Sequence, residues 1–238
     1  MTASVPTISP PPAPLARSLF FLSIFYGGMV CIAGVLGNKQ VSLGPLAAIG
    51  PWIGLGPLAV EAGIFAFLLL VVVSSAVAEL HGRAVANRLV LFGFAPLLVS
   101  ILLSVIVLSL PAAEGMAPDR QEAFAMVMTG TPRIWLGGIV AYGISQTLNV
   151  TIFAMLKGAE GGRMLWLRAA TASVLSQIVD TLLFVTIAFY GVFPITELLV
   201  GQMLAKVLLS ALLVPPLVYA FVALARRLDR QDPSASER

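Results

Sequence analysis

The sequence predicts an all-α polytopic membrane protein with six transmembrane helices. Hydrophobic residues make up 59% of the 238 residues and charged residues only 11%, and the mean hydropathy is +0.99. Because soluble globular domains are roughly half apolar and a quarter charged, this composition excludes an ordinary soluble protein. Six apolar runs are long enough to span a bilayer as helices. A single cysteine, Cys31, cannot form an intrachain disulfide.

The chain divides into a transmembrane domain and two tails. Residues 1–17 are rich in proline and are predicted to be disordered, as is the C-terminal tail, residues 229–238. Residues 18–228 form the predicted six-helix domain. Its spans cover residues 18–37, 58–80, 89–110, 133–155, 165–190 and 197–225.

Polar or helix-breaking residues separate these spans. We expect a loop over the Gly- and Pro-rich residues 40–57, with Trp52 as an interfacial anchor. The sequence HGRAVANR at residues 81–88 forms a basic turn. A polar connection follows the third span and contains a short surface helix over residues 121–128. The double proline at 215–216 is expected to kink the last span.

The distribution of basic residues predicts the orientation in the membrane. Six spans place both termini on one side, and Lys and Arg concentrate in the segments on that side. These residues are Arg17, Arg83, Arg88, Lys157, Arg163, Arg168, Arg226, Arg227 and Arg230. The opposite side carries Lys39, Arg120 and Arg133. By the positive-inside rule, both termini are predicted to be cytoplasmic.

One polar pattern occurs twice, at residues 145–153 (SQTLNVTIF) and 176–184 (SQIVDTLLF). On a helix, the Gln, the Asn or Asp and the Phe of each copy share one face. An ionisable residue at the centre of a membrane helix costs about 2.5–3.5 kcal/mol, so Asp180 needs a partner or a function. Amide side chains alone could serve to hold helices together. With Asp180 in the second copy and Lys206 in the next span, we favour a polar cavity.

The depth of these residues supports that interpretation. At a rise of 1.5 Å per residue, Gln146, Asp180 and Lys206 lie roughly 18, 15 and 16 Å from the same side. They therefore share a level near the midplane, where many transporters bind their solutes. The shared level also lets Asp180 and Lys206 form an ion pair. Whether Asp180 contacts a ligand or only pairs with Lys206 stays open at this point.

The sequence carries no pattern typical of an enzyme. It has no HExxH, no GxSxG, no P-loop and no two carboxylates close together on one span, and His81 lies in a predicted turn. We therefore predict a protein that is not an enzyme, with no catalytic residue, metal or cofactor. The net charge is +3, and the Lys and Arg residues lie mainly in short connections, where they set topology. No nucleic-acid partner is predicted.

Residues 143–191 resemble the queuosine-precursor transporter family, also called the vitamin-uptake-like transporter family. The resemblance rests on the doubled S-Q-x-x-[N/D] motif, on LWLR at residues 165–168 and on IAF at residues 187–189. Further matches are Asn38-Lys39, the Glu-x-x-Gly pattern from Glu79 to Gly82, and Lys206 followed by a Pro-containing helix. In all, the resemblance covers about residues 20–228.

The resemblance implies a six-helix importer in the bacterial inner membrane, similar to the substrate-binding subunits of energy-coupling-factor vitamin transporters. Its solutes would be 7-cyano- and 7-aminomethyl-7-deazaguanine, which serve the modification of tRNA to queuosine. The alternative is a substrate-binding subunit for a vitamin or nucleobase that needs a separate energising partner, and a homo-oligomer is also open. The substrate-binding residues carried over are Asn38, Lys39, Glu79, Gln146, Asn149, Arg168, Gln177, Asp180 and Lys206.

The chain departs from the family pattern at several positions. Asn149 stands where an Asp is common, and Ser74-Ser75 occupies an acidic position before Glu79. A deazaguanine presents two adjacent N–H donors, which a carboxylate accepts in bidentate fashion. We therefore assign the donor edge of the base to Asp180. For Phe153 and Phe184 we expect apolar packing.

Overall fold

The computed structural model describes residues 16–42, 44–54, 56–57, 59–129, 132–160, 164–191 and 196–230. Its elements are α1 (Arg17–Leu36), β1 (Gln40–Ser42), a 3-10 helix (Gly44–Ala48), α2 (Ile49–Trp52), β2 (Ala59–Glu61), α3 (Gly63–His81), α4 (Arg83–Ser109), α5 (Pro118–Met128), α6 (Pro132–Glu160), α7 (Leu165–Phe189) and α8 (Thr196–Arg230). Most of the two predicted disordered tails, residues 1–15 and 231–238, lies outside the described residues.

Six of these helices are long and apolar enough to cross a membrane: α1, α3, α4, α6, α7 and α8. The prediction of an all-α polytopic membrane protein with six spans is therefore confirmed. The short helix α5 exposes nearly all of its residues, as expected for a surface helix.

Several helix boundaries differ from the prediction. The basic turn is a single residue, Gly82, with φ +85°, and α4 begins at once with Arg83. Arg17 belongs to α1, and α8 continues to Arg230, so both helices extend into the predicted tails. The reason is a contact between them, because the backbone N–H of Ser18 donates to the carboxylate of Asp229 at 2.9 Å. A carboxylate at a helix N-terminus satisfies a free N–H and complements the helix dipole.

The prediction of a plain loop over residues 40–57 was wrong. β1 pairs with β2 as an antiparallel two-stranded sheet in which Gln40 faces Glu61 and Ser42 faces Ala59. A further backbone hydrogen bond of 2.8 Å, from Ala62 to Lys39, extends the pairing. Because β2 occupies residues 59–61, the second span begins at Gly63 rather than at residue 58.

Helix α3 is the centre of the bundle, and α4 lies at its periphery. In the most apolar window of α3, 72% of the residues are buried, compared with 11% in α4. Gly63 permits the close approach of α3 to α1, since a Cβ at this position would lie 2.8 Å from the carbonyl oxygen of Ala33. Helices α6, α7 and α8 pack side by side, and α3 contacts all three.

The two ends of the bundle are distinct. At one end, Ser18 of α1 bonds His81 of α3 at 3.0 Å and Asp229 of α8, so the start of α1 and the end of α8 lie together. We call this the terminal end. The opposite end carries the β1–β2 sheet, and we call it the hairpin end. Asn38 lies there, and its side-chain amide donates to the carbonyl of Val127 in α5 at 3.0 Å.

Candidate functional site

A small cavity of about 40 Å³ lies among α3, α6, α7 and α8. It belongs to the half of the bundle nearer the hairpin end, because the α3 residues that line it, Ile64 and Phe67, lie in the first two turns of that helix. The lining residues are Ile64, Phe67, Gly138, Ala141, Asp180, Phe184 and Lys206. Five of the seven are uncharged and apolar, so the cavity is an apolar space with one carboxylate and one ammonium group.

The two charged residues of this cavity form the ion pair that their common depth predicts. The Lys206 ammonium donates to Oδ2 of Asp180 at 3.2 Å, and the hydroxyl of Ser145 donates to Oδ1 at 3.0 Å. Asp180 is 7% exposed and Lys206 is 8% exposed. We call Asp180 and Lys206 the cavity pair. Since Ser145 opens the first polar repeat and Asp180 lies in the second, the two copies meet at this point.

Phe184 adds an aromatic ring to the same wall. It lines the cavity, and the Lys206 ammonium lies 5.9 Å from the centroid of its ring. Phe184 therefore shares an apolar wall with Ile64 and Phe67, and its ring also lies near a buried cation. Phe153 is completely buried, and it contacts a different cation, described below.

Gln146 and Asn149 face away from the cavity pair, toward the centre of α3. The hydroxyl of Ser74 donates to Oε1 of Gln146 at 3.2 Å. The side-chain amide of Asn149 donates to the hydroxyls of Ser74 and Ser75, each at 3.1 Å. All four residues are buried. This serine layer, Ser74, Ser75, Gln146 and Asn149, carries no charge.

A second charged cluster joins α3, α6 and α7 near the terminal end. The guanidinium of Arg168 donates to the carboxylate of Glu79 at 2.5 Å, and the ammonium of Lys157 lies 3.4 Å from the same oxygen. Lys157 also donates to the backbone carbonyl of Glu79 at 2.8 Å. The Arg168 side chain has no exposed surface and lies 4.5 Å from the ring centroid of Phe153. We call Glu79, Lys157 and Arg168 the ion cluster.

The polar groups therefore form three layers along the bundle. The cavity pair comes first, the serine layer follows, and the ion cluster lies deepest toward the terminal end. Arg168 and Asp180 are separated by about 18 Å along α7, at a rise of 1.5 Å per residue.

Three of the candidate residues are not part of this series of contacts. Asn38 and Lys39 are exposed at the hairpin end, where the amide of Asn38 also donates to the carbonyls of Gly34 and Val35. Asn38 thus satisfies free carbonyls at the end of α1. Gln177 is buried on α7, and its side-chain oxygen has no hydrogen-bond partner among the described residues.

The structure adds polar residues that the sequence analysis missed. Gln202 and Ser210 are buried on α8, at one helical turn on either side of Lys206. Their i, i+4, i+8 spacing was visible in the sequence and indicates a single polar stripe. Tyr26 and Tyr142 are also buried, and their hydroxyls form a short hydrogen bond between α1 and α6. Two tyrosines far apart in the chain carry no sequence signal of such a contact.

Several buried polar atoms lack a partner among the described residues. They are Asn87 Oδ1, Asn149 Oδ1, Arg168 Nε and Nη1, Ser173 Oγ, Gln177 Oε1, Gln202 Oε1 and Ser210 Oγ. An unsatisfied buried group costs about 1–3 kcal/mol, so native proteins keep few of them. Most of these atoms lie on α7 and α8, the two helices that supply the cavity pair.

A six-helix membrane bundle that buries a carboxylate and an ammonium in an internal cavity has the arrangement of a solute carrier. Residues 61–221 match the family described as "putative vitamin uptake transporter". This match covers more than half of the chain, so the chain belongs to that family. The protein is thus a multi-pass membrane protein of a transporter family, which is not a class of enzymes.

A curated relative supports the same class. The chain is 30% identical over 150 residues to the "Probable queuosine precursor transporter" of Bacillus subtilis (strain 168). The alignment covers 61% of this chain and 63% of the length of that relative. No solved structure matches the chain at a significant level.

Proposed function

We propose that this chain imports 7-deazaguanine precursors of queuosine across the bacterial inner membrane and so supplies tRNA modification. Two observations support the proposal. The Bacillus subtilis relative is named for queuosine precursors, and the cavity of this chain presents a buried carboxylate beside an aromatic ring. The carboxylate of Asp180 is the observation that carries the proposal.

Asp180 has the hydrogen-bonding capacity that a deazaguanine requires. A carboxylate offers about four acceptor positions. Lys206 and Ser145 each donate to one oxygen, which leaves acceptor positions for the ring N–H and the exocyclic amine of the base. Lys206 retains N–H donors for the carbonyl group of the base. Phe184 offers a face on which the ring can stack.

Binding requires the cavity to expand. Pockets for small organic ligands have volumes of roughly 300–1,000 Å³, whereas this cavity measures about 40 Å³. Space for a purine-like base therefore needs α3, α6, α7 and α8 to move apart at the hairpin end. Exit at the terminal end then requires the Glu79–Arg168 contact to open. Opening of the two ends in alternation is the general mechanism of such carriers.

The basic residues at the terminal end support an orientation with this end in the cytoplasm. Arg83 and Lys157 lie there, and the positive-inside rule assigns such an end to the cytoplasm. In this orientation the cavity is nearer the outer face, and the solute enters from outside. Asn38 and Lys39 then lie at the entrance rather than in the cavity.

The test is direct binding of 7-cyano-7-deazaguanine to the detergent-purified protein, with guanine and biotin as competitors. We expect saturable binding that biotin does not reduce and that Asp180→Asn abolishes. Asp119→Asn is the matched control, since Asp119 is exposed on α5, and it should bind as the wild type does. No binding by folded wild-type protein, or full binding by Asp180→Asn, would overturn the assignment.

Uptake by purified protein in liposomes separates a carrier from a substrate-binding subunit. We expect accumulation of labelled 7-cyano-7-deazaguanine without any other protein. If binding is normal and uptake is absent, the chain is the substrate-binding subunit of a larger transporter and needs an energising partner.

A further inference from the structure

We propose that the cavity pair makes this site select uncharged solutes over cationic ones, with Lys206 as the residue that determines the selectivity. The inference rests on the proposed function and goes one step beyond it. The two precursors share the same ring and the same donor edge, but the 7-cyano group is neutral and the 7-aminomethyl group is a cation near neutral pH. They therefore form a matched pair of probes for the charge of the site.

The charges on the described side chains that line the cavity balance. Asp180 and Lys206 contribute one negative and one positive charge, and the other described lining residues are uncharged. The next layer, formed by Ser74, Ser75, Gln146 and Asn149, is uncharged as well. Farther along α7, Arg168 is paired with Glu79. Among the described side chains, then, no negative charge at the cavity is free to compensate a cationic solute.

Lys206 is held inside the cavity rather than at the surface. Its ammonium contacts Asp180 at 3.2 Å and lies 5.9 Å from the ring of Phe184, and the residue is only 8% exposed. Long cationic side chains near helix ends usually extend to water, as the exposed Lys39 does. The position of Lys206 therefore costs desolvation, and the contact with Asp180 compensates for it.

A cationic solute would disturb this balance in either of two ways. If Lys206 stays in place, the solute ammonium enters a poorly hydrated space beside another cation and finds no counter-charge. If the solute displaces Lys206 from Asp180, the lysine becomes an unpaired buried charge, which is strongly unfavourable. A neutral solute avoids both costs because the acceptor positions left on Asp180 receive its donor edge while the ion pair persists. The nitrile nitrogen of the 7-cyano precursor can also accept a hydrogen bond from an ammonium group.

The experiment compares the dissociation constants of the two precursors by isothermal titration calorimetry at neutral pH. For the wild type we expect the 7-cyano compound to bind at least about tenfold more tightly. Lys206→Met leaves a net negative cavity, so the solute amine can take the place of Lys206 beside Asp180. In this variant we expect the preference to reverse. Lys206→Arg keeps the charge and should keep the wild-type preference.

Two further variants exclude misfolding of Lys206→Met and a general effect of removing a positive charge. Lys206→Gln removes the same charge as Lys206→Met but retains a hydrogen-bond donor for Asp180. It replaces Lys206→Met in the binding comparison if the Met variant does not fold. Arg88→Met removes a positive charge from an exposed position on α4 and should leave the preference unchanged. Thermal melting in detergent establishes that each variant is folded.

The outcomes distinguish this inference from the proposed function. Equal affinities in the wild type, or a wild-type preference that survives in Lys206→Met and Lys206→Gln, would overturn the selectivity inference alone. If folded wild-type protein binds neither precursor, the proposed function fails and the inference falls with it. If the preference between the two precursors reverses in Lys206→Met and Lys206→Gln but not in the other variants, Lys206 is the residue that determines the selectivity.

Discussion

The described part of the bundle buries two sets of ion pairs, and their surroundings differ. The cavity pair, Asp180 and Lys206, borders an open space and retains unused acceptor positions on the carboxylate. In the ion cluster, by contrast, Arg168 is completely buried, lies over Phe153 and binds a carboxylate that Lys157 also contacts. A charged pair beside a cavity can exchange partners with a solute, whereas a charged pair packed against a ring holds helices together. We therefore propose that the first pair binds the solute and that the second closes the terminal end.

The largest effect is expected from Arg168→Met. The change leaves Glu79 with only the half-exposed Lys157 as a partner and removes the cation above Phe153. Breaking a buried ion pair costs about 3–5 kcal/mol, so the free energy of unfolding should fall by that amount. Because the residue lies about 18 Å from Asp180, we expect binding to survive in folded protein while transport is lost. Denaturant titration and liposome uptake measure the two effects.

A loss of binding in Arg168→Met comparable to that in Asp180→Asn would contradict the division of roles. Arg168→Lys is the matched control, since it keeps the charge but loses the fork geometry that suits a carboxylate. It should recover part of the stability.

An intermediate effect is expected from Ser145→Ala. The hydroxyl of Ser145 donates to Asp180, and hydrogen bonds to charged groups contribute about 1.5–3 kcal/mol. We expect a loss of stability in that range and weaker binding of the 7-cyano precursor. Ser176→Ala is the control at the same position of the second repeat, where the only acceptor among the described residues is the carbonyl of Ser173 in the same helix. If both variants behave alike, the contact between the two repeats has no special role.

The smallest effect is expected from Lys157→Met. The Lys157 side chain is 40% exposed, and Glu79 keeps its contact with Arg168 when the lysine is removed. Exposed ion pairs contribute about 0–1 kcal/mol, and water can replace the hydrogen bond that the half-exposed Lys157 donates to the carbonyl of Glu79. The change in unfolding free energy should therefore stay below about 1 kcal/mol. The same substitution at the buried Lys206 should cost about 3–5 kcal/mol. A comparison of the two melting temperatures measures the difference, and equal losses would contradict the assigned burial of Lys206.

A considerable part of the site was accessible from the sequence. Asp180 and Lys206 stand out because charged residues are rare in apolar spans, and counting the helical rise brings them to one level. The same count suggested that Gln146 would join them. In the structure its neighbour Ser145 meets Asp180, and Gln146 bonds Ser74 instead. Successive side chains on an α-helix point about 100° apart. Periodicity alone does not determine which of two adjacent residues faces a given neighbouring helix.

The sequence by itself determined the class of fold, the six spans and the charged residues of the cavity. Burying a charge in an apolar helix is costly, so charged residues are rare in membrane spans and those that occur stand out in the sequence. Only the tertiary structure decided which helices surround the cavity, that Arg168 is buried over Phe153, and that α3 lies at the centre. Similar apolar runs can pack in many orders, and the choice among them depends on side-chain contacts between distant segments rather than on local pattern.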